Sequence, residues 1–146
     1  GGESRFQSVK NGLMALPFQE GLVAIHDGVR PFVSENVIQA SFELAAEKGS
    51  AIPVVALKDS LRKVETSGES SFQDRAHFRL VQTPQTFQIK PLLQAFAVEE
   101  LAIFTDDATV YEYQGWEISL MEGNPENIKL TTPEDLAFAE FLMLAR

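Results

Sequence analysis

An α/β fold, with helices laid on a sheet, is what this sequence predicts, and three features carry the prediction. The run 22–25 is short, continuous and apolar after Gly21, the pattern of a strand buried on both faces of a parallel sheet. Residues 34–49 read as a helix: Ser34 caps it, Glu35 sits in its first turn, and Gly49 stops it. Residues 51–56 are a second short strand. Strand, helix, strand is the βαβ unit, whose crossover is almost always right-handed.

The other elements follow in chain order. Ser4 and Gln7 have capping-box spacing, and Phe6, Val9, Leu13 and Leu16 keep one helical face apolar until Pro17. In the helix of 34–49, Ile38, Phe42 and Ala45 form the apolar face. Residues 58–80 are polar, with a turn at 66–71, and 61–64 and 78–81 can be the two sides of a projecting hairpin. Such an arm has little core of its own and needs a surface to pack on, a second subunit being the obvious one. Pro91 in the favoured first position opens a helix to about residue 100. Thr105-Asp106-Asp107 caps a short helix ending near Gly115 and places two acids at its positive end. Residues 118–121 are strand-like. Thr132-Pro133-Glu134-Asp135 starts a last helix reaching about Ala145; it is apolar almost all round through Leu136, Phe138, Phe141, Leu142 and Leu144, the pattern of a buried helix.

The 146 residues suit one domain, 1–146, with the arm 58–80 inside it. A net charge of −9, from 21 acidic and 12 basic residues, argues against binding a nucleic acid polymer, which needs basic patches to displace counterions. A single nucleotide needs only a few aimed cations and a metal. The lack of cysteine excludes disulfides, thiolate catalysis and Cys-ligated zinc, and two histidines, His26 and His77, make no recognisable multi-histidine metal site. No stretch approaches the ~18 apolar residues of a membrane span, and no signal-peptide pattern opens the chain, so it reads as soluble and cytoplasmic.

The segment Ala24-Ile25-His26-Asp27-Gly28-Val29-Arg30-Pro31 concentrates the chemistry. In open α/β sheets ligands sit beyond the carboxyl ends of strands. Asp27 falls there, with Gly28 leaving room and Arg30 adding a fixed positive charge. A carboxylate so placed can hold Mg²⁺ together with phosphates; Asp-Gly can also simply turn the chain, with Pro31 stiffening the exit. No serine–histidine–aspartate or paired-carboxylate hydrolase pattern is recognisable. His26 reads as a satisfied structural histidine rather than a base.

An ordered set of short motifs adds to this reading. They are Gly1-Gly2-x-x-Arg5-x-x-Ser8-Val9, His26-Asp27-x-x-Arg30-Pro31, Lys58-Asp59-Ser60, Asp74-Arg75, Thr83-Pro84-Gln85-x-Phe87, Thr105-Asp106-Asp107-Ala108, and Glu122-Gly123-Asn124-x-x-Asn127-Ile128-Lys129-x-Thr131-x-Pro133-Glu134-Asp135-Leu136. In order and spacing the chain resembles the 2-C-methyl-D-erythritol 4-phosphate cytidylyltransferases of the non-mevalonate isoprenoid pathway. The resemblance implies a Rossmann-like nucleotidyltransferase sheet with helices on both faces and a projecting β-hairpin arm. The family's glycine-rich loop, which wraps the CTP phosphates and supplies a lysine, has no counterpart; the only adjacent glycines are Gly1 and Gly2. The resemblance therefore implies the C-terminal portion of the enzyme, N-terminally truncated and inactive alone. Gly28-Val29, where Ala-Ala is common in the family, is a smaller departure.

The implied reaction is attack by the sugar-phosphate oxygen on the α-phosphorus of CTP, releasing pyrophosphate. Asp27 is implied to hold Mg²⁺ or another divalent cation, and Lys129 to place a charge near the reacting groups. Arg30 is implied to contact the sugar phosphate. Gly2 and Ser8 match positions reading the cytosine, and Gly28 one lying against the ribose. Ser60, Thr83 and Thr105, with Asp106, match the substrate pocket. Arg75 matches an arm residue delivered to the neighbouring subunit, which implies a homodimer with shared sites. Without the resemblance, Lys129 reads as a solvated lysine, Arg30 as a surface ion pair, Ser8 as an exposed helical serine and Thr105 as a helix cap. Two alternatives are a pentitol-phosphate cytidylyltransferase making CDP-ribitol, and a non-catalytic, dimerising phosphate-binding fragment.

Overall fold

The computed structural model describes residues 1–144. Two sheets and five helices form, in the order α1 (Arg5–Met14), β1 (Leu22–Ile25), α2 (Glu35–Lys48), β2 (Ser50–Ala56), β3 (Leu61–Val64), β4 (Ser70–Gln73), β5 (Arg79–Val81), β6 (Gln85–Gln88), α3 (Ile89–Ala95), α4 (Asp107–Glu112), β7 (Leu120–Glu122) and α5 (Pro133–Leu144); a 3₁₀ turn, Arg75–His77, precedes β5.

β2 is the spine of the main sheet. β7 pairs with it in parallel, while β5 and β6 run antiparallel to it, and β6 also pairs antiparallel with β1. β1 and β2 thus run parallel, as the strand–helix–strand reading requires, but β6 lies between them, so the sheet is mixed. β1 pairs only with β6 among the described residues and is half-buried along its whole length. The expectation of a strand buried on both faces of a parallel sheet is corrected accordingly: an apolar run of four also suits a half-covered edge.

Between the Ala51–Thr86 and Val54–Val81 pairs, β2 spends two residues and the opposing chain spends four. That bulge holds Gln82, Thr83 and Pro84, with a cis Thr83–Pro84 bond. Pro53, which has no ladder N–H to give, sits opposite it and accepts from the Gln82 N–H.

Successive strand residues point to opposite faces, and β6 shows which helix covers each. Thr86 bonds Ser41 of α2, whereas Phe87 packs its ring against Tyr111 of α4, centroids 5.2 Å apart. On the Phe87 side the core gathers Phe6, Leu13, Ile52, Leu92, Phe96 and Val110. Helices therefore lie on both faces.

Caps fall where the sequence places them. Ser4 accepts from the Gln7 N–H, Ser34 from the Val37 N–H, and Gly49 ends α2 at φ +93°. Asp106 rather than Thr105 caps α4. The buried face of α2 is Val37, Ser41 and Ala45: Ala45 is buried as expected, but Val37 and Ser41 stand one position before the expected Ile38 and Phe42, and Ile38 is exposed. α3 starts at Ile89 and ends at Ala95, so Pro91 is its third residue and not its first; positions this early owe no N–H to the helix, so proline is tolerated.

Two expectations about packing change. Residues 61–64 pair with 70–73, not with 78–81: β3 and β4 form the hairpin, and β5 joins the main sheet at β2. α5 forms as expected, but only Ala139 is buried, while Leu136, Phe138, Phe141 and Leu144 are exposed. The expected end at Ala145 lies outside the described residues.

Candidate functional site

Three segments converge beyond the carboxyl end of β1. The first is the loop 26–30, closed by the Arg30 N–H on the Asp27 carbonyl. The second is the bulge, whose Thr83 is 4% exposed. Its hydroxyl oxygen accepts from the Asp27 N–H at 3.0 Å and lies 2.9 Å from Nδ1 of His26. Nε2 of His26 bonds the Arg30 carbonyl at 2.9 Å. The third is 124–130, where the wholly buried Asn127 donates to the Thr83 carbonyl at 2.7 Å and its own carbonyl accepts from Arg30 at 2.8 Å. The Leu130 N–H donates to the Val29 carbonyl, tying this segment back to the loop.

Three cations stand around one carboxylate. Oδ2 of Asp27 lies 3.3 Å from Nζ of Lys129 and 3.5 Å from Nε of Arg30, and Oδ1 lies 3.5 Å from Nε of Arg5. Burial pushes the Asp27 carboxyl up, but Lys129, Arg5 and Arg30 together outweigh it and hold the group below its ordinary value. The site's carboxylate is ionised at neutral pH. Beside it opens a cavity of about 620 Å³ that Arg30, Lys58, Asp59, Glu122 and Lys129 help to line.

Arg5 carries a second bond. Its two terminal nitrogens grip Asp107 at 2.9 and 2.6 Å, a fork-to-fork pair, and Asp107 is wholly buried. Burial raises the Asp107 carboxyl, with Arg5 pulling the other way. Asp106 spends one oxygen on the Thr109 N–H and the other on Gln85, whose own oxygen accepts from the Ala108 N–H.

The structure thus brings Asp27, Arg30 and Lys129 together and sets Thr83 beneath them. Gly28 is exposed, and a Cβ there meets nothing within 4 Å, so internal packing makes no demand for glycine. Gly2 is different: a Cβ would come within 2.8 Å of the Gln7 and Ser8 backbone. Ser8 is half-buried in the first turns of α1, its N–H on the Ser4 carbonyl. Ser60, Thr105 and Arg75 are exposed and make no hydrogen bond to the Asp27 cluster among the described residues. Arg75 donates to the Lys58 carbonyl of its own chain, and Thr105 faces the Thr109 hydroxyl at 3.5 Å. His26 has both ring nitrogens bonded, as expected of a structural histidine, though it is exposed.

Sequence reasoning placed Arg5, Gln85, Asp107 and Asn127 in motifs but gave none of them a part in the site, reading Asp107 only as an acid at a helix start. A partial signal for one of them was present: of two adjacent aspartates at a helix start only one can cap, and the other, where it is buried as Asp107 is, needs a cation.

The chain matches, over residues 1–145, the family described as IspD, 2-C-methyl-D-erythritol 4-phosphate cytidylyltransferase. It is 50% identical over 143 residues to the protein of that name from Phocaeicola vulgatus, covering 98% of this chain and 64% of that protein. The corresponding protein of Geobacillus kaustophilus is 42% identical, with 100% and 64% covered. Among solved structures, the 2-C-methyl-D-erythritol 4-phosphate cytidylyltransferase of Thermus thermophilus superposes with a TM-score of 0.85 at 36% identity, covering 97% of this chain and 70% of that one. The 4-diphosphocytidyl-2C-methyl-D-erythritol synthase of Anaerococcus prevotii does so at 0.89 and 30% identity, covering 99% and 66%. The chain spans about 64% of the length of the curated relatives it matches. Matched along almost its whole length in both sequence and fold, the chain belongs to the 2-C-methyl-D-erythritol 4-phosphate cytidylyltransferase family.

Proposed function

We propose that this chain carries the sugar-phosphate side of a cytidylyltransferase that joins CTP to 2-C-methyl-D-erythritol 4-phosphate. One observation carries the reading: an ionised Asp27 ringed by Arg5, Arg30 and Lys129, the last two of which also line the neighbouring cavity. Two polyanions have to meet in line, and that costs more electrostatically than anything else in the reaction. A phosphate oxygen of the sugar phosphate forms a new P–O bond to the α-phosphorus of CTP, the α–β anhydride bond breaks, and pyrophosphate leaves. Arg30 and Lys129 bind and orient the incoming phosphate. Lys129 has a half-exposed side chain and can swing toward it, whereas Arg30 is fixed by the Asn127 carbonyl. Gly2 and Ser8 face the base, Gly28 leaves room for the ribose, and Ser60, Thr105 and Asp106 face the substrate. Thr83 has its hydroxyl engaged by Asp27 and His26, so in this reading it holds the loop instead of lining the pocket.

A divalent cation such as Mg²⁺ fits the donors present. Asp27 is a single hard carboxylate, and its three cations stand at 3.3–3.5 Å, beyond the roughly 2.7–2.9 Å of a tight charged bond. No cluster of three acidic or histidine ligands exists among the described residues, which suits a metal held jointly with nucleotide phosphates and not by an all-protein cage. Asp27 would hold it, and the ion would neutralise charge between the phosphates. The arm 58–80 completes the reading: Arg75 reaches a partner's site in a homodimer once it leaves its own Lys58 carbonyl.

The test is a titration of the 146-residue chain with 2-C-methyl-D-erythritol 4-phosphate, followed by NMR. Expected are shifts at Arg30 and Lys129 that disappear in Lys129→Ala, with D-ribitol 5-phosphate binding more weakly. Equal or tighter binding of the ribitol phosphate makes the pentitol enzyme the better reading, and no binding of either sinks the proposal. CTP-dependent pyrophosphate release by these residues alone is expected to be about 10²-fold or more below that of the relatives, because no phosphate-cradling loop is among them.

A further inference from the structure

The Arg5–Asp107 pair has no task in the chemistry above. It is nonetheless the best-anchored part of the cluster. Asp107 is the first residue of α4, and that helix start cannot shift easily: Asp106 and the buried Gln85 bond each other, and Gln85 also takes the Ala108 N–H. Both Asp107 oxygens are occupied by the Arg5 fork. A guanidinium is planar, so fixing its two terminal nitrogens also fixes where its Nε points. Here Nε lies 3.5 Å from Oδ1 of Asp27. The opposite oxygen faces Arg30 and Lys129, and Lys129 is 47% exposed on a flexible stem. Asp107 is wholly buried while the Arg5 side chain is 35% exposed, and a carboxylate taken out of water is often no more stabilising than a well-packed apolar group, so its presence here asks for a positional reason.

We propose that Arg5 is a positioning residue: clamped by Asp107, it holds the Asp27 carboxylate in one rotamer and so links the start of α1 to the phosphate site. What Asp27 then does rests on the function proposed above; the clamp itself does not.

The experiment needs no ligand and no turnover. The three-bond couplings from the Asp27 Cγ to its backbone nitrogen and carbonyl carbon report its χ1 populations in the isotope-labelled 146-residue chain. The unsubstituted chain is expected to show a single rotamer. Arg5→Lys keeps a cation beside Asp107 but loses the planar fork; Asp107→Asn keeps the volume but loses the clamp. Both are expected to move the couplings to rotamer-averaged values while backbone amide shifts elsewhere hold. Should Asp107→Asn fail to fold, Arg5→Lys decides alone. Couplings unchanged in Arg5→Lys, whatever happens to its melting temperature, overturn the proposal and leave the pair a purely structural one. Failure of the sugar phosphate to bind, with the couplings responding as expected, would instead remove the functional reading and leave the clamp standing.

Discussion

Thr83 organises more of this site than its single hydroxyl suggests. Its oxygen accepts from the Asp27 N–H and lies 2.9 Å from Nδ1 of His26, whose Nε2 bonds the Arg30 carbonyl, so one hydroxyl ties the loop at two points. Thr83→Val removes one acceptor and one donor at once. It should destabilise the chain by about 1 kcal/mol in urea denaturation, the net worth of a typical hydrogen bond, because His26 is exposed and Asp27 only half-buried and water can reach both. Asp27→Asn is expected to keep the fold but to weaken Mg²⁺-dependent CTP binding about tenfold or more, since an amide is neutral and a poorer ligand for a hard cation; calorimetry across a Mg²⁺ series checks it, and unchanged affinity would reduce Asp27 to a turn residue. Asp27, Arg30 and Lys129 were legible in the sequence because a strand end and a run of motifs mark them. Arg5 and Asp107 stand in the same motifs, but their pairing, across 102 residues, was not legible. An acidic pair at a helix start reads first as a complement to the helix dipole.

Among the elements, helices were read well because their signals are local. Ser34→Ala should cost α2 about 1 kcal/mol, measurable as a lower denaturation midpoint with an unchanged slope. Strand pairing was read less well. The run 78–81 has the texture of a strand, but texture does not name its partner, and the nearest candidate in sequence lost to β2, which offers a long apolar edge. At the start of α5, Asp135 accepts from the Thr131 and Thr132 N–H groups, and these bonds hold its carboxyl below the ordinary value. A depressed folded value means that this anchoring is complete above the unfolded value, about 3.9, and is lost as pH falls through the folded one. Protection of the Thr131 and Thr132 amides, their exchange measured against intrinsic rates, is expected to hold at pH 6 and to fall only below about 3.9; protection lost already between pH 7 and 5 would contradict the assignment.

Among the described residues the hairpin shows a surface that the molecule's own core does not use. β3 and β4 pack chiefly on each other, and one face of the hairpin presents Phe72 and Val64, 70% and 67% exposed. If this arm joins two subunits, sedimentation velocity will show concentration-dependent association that Phe72→Ser weakens at least tenfold. Association indifferent to that change places the contact elsewhere. The bulge carries a different consequence, one about chain length. Because side chains alternate along a strand, removing one residue from 82–84 would turn Thr86 toward Tyr111 and Phe87 toward Ser41, exchanging a hydroxyl for a ring on each side of the sheet. It would also draw Thr83 away from the loop it holds. A deletion scan should therefore find this stretch intolerant, and the hairpin turn 65–69, which touches neither layer, the place where the chain can be shortened or lengthened freely.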